Sequence, residues 1–179
     1  MFTTWLRSSR YASAVLMLLR VYLGWTFLHA GWGKLTDAKS FSAAGFLIHS
    51  LQHPVLGPDN HPAYPWYNAF LHAFAIPHAD VFNFLIPWGE VLVGVGLIFG
   101  VLTTAAAFFA MLMNFMYMFA GSISTNPMDI LIGMFIIVGG SNSGFFGGDY
   151  WLVPYLRKFT GLVQAGQANR IETASSPRL

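Results

Sequence analysis

The chain has 179 residues, of which 9% are charged and 55% hydrophobic, and its mean hydropathy is strongly positive. That composition excludes an ordinary soluble domain, and the length leaves room for one helical membrane domain with one substantial loop. A net charge of +2 points to no nucleic-acid partner, and the lack of any cysteine excludes disulfides, thiolate metal sites and cysteine-held iron–sulfur clusters on this chain.

Arg7 and Arg10 followed by AVLMLL resemble the start of a secretory signal. However, Arg20 interrupts the apolar core and no small-residue cleavage site follows before Trp25, so the segment reads as a retained first span. Four apolar stretches, about 12–35, 81–102, 103–121 and 127–146, approach the roughly 20 residues that cross a bilayer as a helix. The second and third run together near Gly100–Thr104, which predicts a tight hairpin, and Asn126-Pro127 marks the restart before the fourth. Between the first two, residues 36–80 are too long and too apolar for a plain linker and predict a cap of short helices. Residues 151–163 mix aromatics with Arg157 and Lys158, the pattern of an interfacial helix, and 164–179 read as a disordered tail.

The expected fold is thus an all-α integral membrane protein: a single domain over 1–163, with a four-transmembrane-helix bundle, an outward-facing cap and an interfacial C-terminal helix. Arg7 and Arg10 precede the first span, and Arg157, Lys158, Arg170 and Arg178 follow the last. The positive-inside rule therefore places both termini in the cytoplasm. Small residues along several helices would serve packing within one bundle or a homo-oligomer equally well.

Arg20, Glu90, Asn114 and Asp129 each interrupt a different apolar stretch. A charge at the centre of a spanning helix costs about 2.5–3.5 kcal/mol on insertion scales, so such groups are paired, wetted or functional. Depth estimated from helical rise predicts an Arg20–Glu90 pair near mid-membrane and a Lys34–Asp129 pair nearer the outer ends. At 100° per residue, Arg20, Gly24, Phe27, Gly31 and Lys34 share one face, with His29 nearly opposite Arg20. Each reading has a structural counterpart. Arg20–Glu90 can simply lock two helices, Asn114 can bridge them, and Trp25, Trp32 and Trp88 can be packing or belt residues. His49 and His53 stand at i,i+4, with His61, His72 and His78 nearby; only Asp59 and Asp80 accompany them, so no protein-held metal or haem is expected.

LLRVYLGWTFLHAGWGKL in the first stretch, GEVLVGVGLIFGVLT in the second, NPMDILIG opening the fourth and GGDYWL after it resemble the DoxX family, particularly its DoxD-like branch. The resemblance runs from about Leu19 to Leu152. It rests on Arg20, Gly24, Phe27, Gly31, Lys34 and Leu35, then Glu90, Gly94, Gly96 and Gly100, then Asn126 and Asp129. That branch comprises the large subunit of thiosulfate:quinone oxidoreductase. The resemblance implies a prokaryotic cytoplasmic-membrane enzyme that oxidises thiosulfate to tetrathionate and reduces membrane quinone. It also implies a small DoxA-type subunit, for which residues 164–179 are too few.

On that reading Arg20, Glu90 and Lys34 are the catalytic candidates, and His29, Trp32, Trp88, Asn114 and Asp129 the substrate- or quinone-binding ones. Lys34 would meet the thiosulfate dianion. Arg20, Asn114 and Trp88 would donate to quinone carbonyls, and Glu90 would relay the protons that quinone reduction consumes. Quinone is the one cofactor expected, as bound substrate, and lipid, thiosulfate and the small subunit are the expected partners. The competing class is a non-catalytic membrane subunit that anchors or assembles a redox partner. A transporter fits less well, because the chain carries no internal repeat.

Overall fold

The computed structural model describes residues 1–156 together with Lys158 and Gly161. Nearly all of it is helical: α1 (Phe2–Ser8), α2 (Arg10–Thr36), α3 (Ala43–Gln52), α4 (Pro65–Phe70), α5 (Ala79–Phe99), α6 (Thr103–Phe119), α7 (Asn126–Gly139) and α8 (Asp149–Leu156). A π-helical turn, Leu71–Ala75, continues α4, and a 3-10 turn, Gly140–Gly144, continues α7. Among the described residues α2 and α5 are long and apolar enough to cross a membrane. The extended α7 and α8, bent by 84°, add a third span if counted as one. The apolar α6 is shorter.

Sequence chemistry accounts for the breaks. Gly100 ends α5 with φ +66, a conformation that costs a residue with a Cβ but not glycine. Pro127 sits in the first turn of α7, where its missing N–H is not needed. Gly140, at φ +57, ends α7 earlier than the expected 127–146 span. The cap helices fall at Ala43–Gln52 and Pro65–Ala75 within the expected 36–80 segment. The short α1 was not anticipated. Of the expected interfacial helix at 151–163, α8 covers residues 151–156, and most of the remainder, with the expected tail at 164–179, lies outside the described residues.

Helices α2, α5, α6 and α7 pack around one apolar cluster that includes Leu23, Phe27, Val93, Leu97, Ala107 and Ile136. The most extensive pairing joins α2 to α5. It depends on glycines: a Cβ on Gly94 would lie 2.6 Å from the Leu28 nitrogen, and one on Gly31 would lie 2.8 Å from the Glu90 Cβ. Such small-residue seams let backbones approach within a bilayer, where no hydrophobic force drives helices together. Gly24 faces Gly94 and Ile98, while Gly31 faces Pro87 and Glu90. This antiparallel register sets Arg20 level with the end of α5 and Lys34 level with its middle.

At one end, the cap end, α3 and α4 build a second cluster from Ala43, Leu47, Tyr67, Leu71, Ala75 and Ala120. Asn83 of α5 fastens it by accepting the Ala43 N–H at 2.7 Å, which satisfies an amide at the start of α3. At the opposite, basal end, Asn142 donates to the carbonyls of Leu6 and Ser9, tying α1 and the start of α2 to the 3-10 turn.

Candidate functional site

The Gly31 contact carries Lys34, one turn further along α2, over the carboxylate of Glu90. The ammonium donates to Oε1 at 2.9 Å and Oε2 at 2.7 Å. Tyr117 of α6 donates its hydroxyl to Oε1 at 2.6 Å. Glu90 is 3% exposed and Lys34 26%, so the lysine reaches inward from the cap end to a carboxylate that is sealed among helices. Three helices therefore converge on one acid, and charge-assisted bonds of this kind are the strong ones.

Glu90 forms part of the wall of a polar cavity of about 330 Å³. Lys34, Asn114, Tyr117, Asn126 and Asp129 line it too, with Ser122, Ser124 and Thr125 at the α6–α7 connection. Asp129 receives the Thr125 hydroxyl on one oxygen at 3.0 Å. Its other oxygen and the Asn114 amide nitrogen are buried without a hydrogen-bond partner among the described residues. On the cap side, Lys34 is shared with an outer mouth of about 420 Å³ lined by Asp37, Lys39, Ser40 and Ser42.

Tyr117, Phe46 and Ile86 separate the polar cavity from a second space of about 490 Å³. This one is a groove between α5 and α6, roofed by α3 and α4, with Leu85, Leu92, Phe109, Leu112 and Met113 in its walls. Leu85, Leu92 and Phe109 are more than half exposed, so the groove opens sideways on the apolar surface of the helices. Tyr67 lines it from the cap, and burial pushes its phenol up to about 12, which leaves it a neutral donor at ordinary pH. An apolar slot ending against a Tyr–Glu–Lys array is the arrangement by which a greasy molecule with a polar head is held.

The structure redistributes the residues singled out in the sequence. Lys34, Glu90, Asn114 and Asp129 come together around one cavity. The expected Arg20–Glu90 pair does not form, because the glycine seam sets Arg20 opposite the end of α5. The Lys34–Asp129 pair does not form either: Lys34 is taken by Glu90, and Asp129 bonds Thr125. His29 is exposed beside Trp25, at 6.4 Å between rings, while Trp32 is 59% exposed and lines neither the polar cavity nor the outer mouth. Trp88 leans on Phe84 outside the groove, so it does not donate into it.

Arg20 belongs to a basal assembly instead. It is 1% exposed and donates to the Phe146 carbonyl at 3.1 Å. The guanidinium fills the space against Gly100 and Gly147, where an added Cβ would overlap it. Asp149 supplies the opposing charge. The same Asp149 accepts the Leu102 and Thr103 amides at 2.7 and 2.8 Å and so caps α6. Arg20 thus ties α2 to the segment after the 3-10 turn through Phe146, while Asp149 separately ties the start of α8 to the α5–α6 turn.

Sequence reasoning missed Tyr117 and Asp149. Tyr117 carried a legible signal, since it lies three residues after Asn114 and shares its helical face. Asp149 stands within the quoted GGDYWL, but nothing local to that motif reveals that it reaches back to Thr103.

An ion pair held among apolar helices, flanked by a polar cavity and an apolar groove, belongs to a membrane protein with a polar interior. The chain belongs to the DoxX family, whose model matches residues 15–122; its members are membrane proteins associated with oxidoreductase or redox-related roles. The match includes Lys34, Glu90 and Tyr117 and ends before Asp129 and Asp149. No curated protein and no solved structure matches the chain.

Proposed function

We propose that the chain is a quinone-reducing membrane oxidoreductase of the DoxD-like, thiosulfate-oxidising kind. The observation that carries the reading is the meeting of the apolar groove with the Lys34–Glu90–Tyr117 array. A quinone needs a greasy slot for its ring and tail, and a hydrogen-bond donor at the slot's head for a carbonyl oxygen. The groove offers the slot, and Tyr117 forms its polar boundary beside Glu90. Lys34 and Lys39 at the outer mouth suit an anionic donor approaching from the cap side.

The chemistry balances without a redox centre on the protein. Two thiosulfate dianions join through a new S–S bond to give tetrathionate and release two electrons. Quinone takes those electrons and two protons and becomes quinol. In this reading α2, α5, α6 and the bent α7–α8 unit form four spans. α6, at 17 residues and about 25 Å, spans a locally thin bilayer or one thinned by mismatch. The basal end, with Arg7 and Arg10, lies in the cytoplasm, and the cap faces outward.

The test is thiosulfate-dependent reduction of a short-chain quinone by the detergent-purified chain, with tetrathionate measured in parallel. Turnover that disappears in Glu90→Gln while the protein stays folded supports the reading. A folded wild-type protein that reduces no quinone with thiosulfate, alone or with a small partner subunit, overturns it in favour of an anchoring role.

A further inference from the structure

We infer that the polar cavity is a water-filled vestibule, open to the cap end alone, that supplies the protons consumed at the groove through Glu90 and Tyr117. The inference rests on the quinone reading for its purpose, but its geometry stands apart from it.

The cavity needs water on chemical grounds. Asn114 and Asp129 are each 2% exposed, and each turns an unpartnered polar atom to a space they jointly line. Buried polar groups in native proteins are hydrogen-bonded to protein or to ordered water, and one water needs only about 10–15 Å³ of accessible volume. At about 330 Å³ the cavity has room for several. The donor of Asn114 and the acceptor of Asp129 can anchor a chain of waters at both polarities.

The openings decide the direction. Towards the cap end, Ser124 and Thr125 are exposed at the cavity rim, and Lys34 connects it to the outer mouth. Towards the basal end the interior is filled by Leu23, Leu97, Ala107 and Ile136, none of them measurably exposed. Below these residues the Arg20 guanidinium packs against Gly100 and Gly147, and Asp149 holds the first amides of α6. Arg20 Nε and Nη1 and the Thr103 hydroxyl are also buried without a hydrogen-bond partner among the described residues at that end, but the apolar layer separates them from the cavity.

The transfer balances as follows. Each carbonyl oxygen of the quinone gains one proton as the ring gains its two electrons from the donor. The Tyr117 hydroxyl gives its proton to the nearer oxygen, and Glu90, a carboxylate, takes a proton from vestibule water and returns it to Tyr117; the second proton follows by the same route. Electrons from a donor on the cap side and protons from the same side leave no net charge movement across the membrane.

The absence of cysteine makes this directly measurable. Asn114→Cys and Thr26→Cys place single thiols in the cavity, and Leu97→Cys places one in the floor. Each would be exposed, in vesicles of either orientation, to a small membrane-impermeant cationic methanethiosulfonate. Labelling of the cavity thiols from the cap side, with the floor thiol unlabelled from both sides, is the expected result. Cavity thiols that react from the basal side, or from neither, overturn the vestibule whether or not the protein turns over. In oriented proteoliposomes fed thiosulfate and a quinone, two protons per quinol should vanish from the cap-side solution, with no membrane potential. Proton uptake from the basal compartment overturns the inference and leaves the quinone reading intact. Cap-side labelling without quinone turnover keeps the vestibule, removes its assigned purpose and counts against the quinone reading.

Discussion

Lys34 lies across both oxygens of Glu90, at 2.9 and 2.7 Å, although the lysine is 26% exposed and the glutamate only 3%. The asymmetry means that each partner's removal leaves a different problem. Lys34→Met strands a sealed carboxylate, whereas Glu90→Gln leaves an ammonium that can retreat to the outer mouth. Breaking a buried pair costs about 3–5 kcal/mol. Lys34→Met is expected to fall near the low end of that range and Glu90→Gln well below it. Thermal denaturation in detergent, with the double variant closing the cycle, measures both; equal losses would contradict the asymmetry.

Tyr117→Phe removes the 2.6 Å bond to Glu90 and nothing else of size. If Tyr117 passes a proton to the bound quinone, kcat should drop by about 10²-fold, the lower limit typical of general acid–base groups. KM for quinone should stay nearly constant, because the ring still walls the groove. A change confined to KM would make Tyr117 a wall residue only.

Gly89 borders the groove with its Cα side 3.7 Å from Met113 when a Cβ is added, an ordinary contact. A larger side chain there would fill the slot without disturbing the polar cavity. Gly89→Leu is expected to raise KM for a short-chain quinone about tenfold or more, at little cost in stability. Unchanged KM would move the quinone out of this groove.

Arg20 and Asp149 should behave as structural residues. Asp149→Ala uncaps α6 by removing the acceptor of two amides, with an expected loss of about 1–2 kcal/mol. Asp149→Asn keeps an acceptor for one amide and should lose less. Arg20 stands fourteen residues from Lys34 on α2, about 21 Å by helical rise, so the folded fraction of either variant should turn over normally. A loss of kcat in folded Arg20→Met protein would return Arg20 to the mechanism.

Most of the architecture was legible in composition and periodicity. Long apolar stretches cannot hide, and the face shared by Arg20, Gly24, Phe27, Gly31 and Lys34 is the face that packs on α5. Four of the eight site candidates do line one cavity. The pairing among them was not legible, because helical rise gives depth along one helix but not the register between two. That register is set by Gly24 against Gly94 and Gly31 against Glu90, contacts spanning more than fifty residues. His29, Trp32 and Trp88 share the apolar stretches, but their exposed faces follow from the same packing that a single sequence does not display.

The cap of α6 comes from far downstream. Its first amides are held by Asp149, forty-six residues beyond Thr103, and the α5–α6 hairpin therefore leaves the ribosome before its fastening exists. Until the GGDYWL segment is made, the Leu102 and Thr103 amides at the start of α6 have no acceptor. Chains that stop short of this segment would contain α2, α5, α6 and α7 and still lack the residue that caps α6.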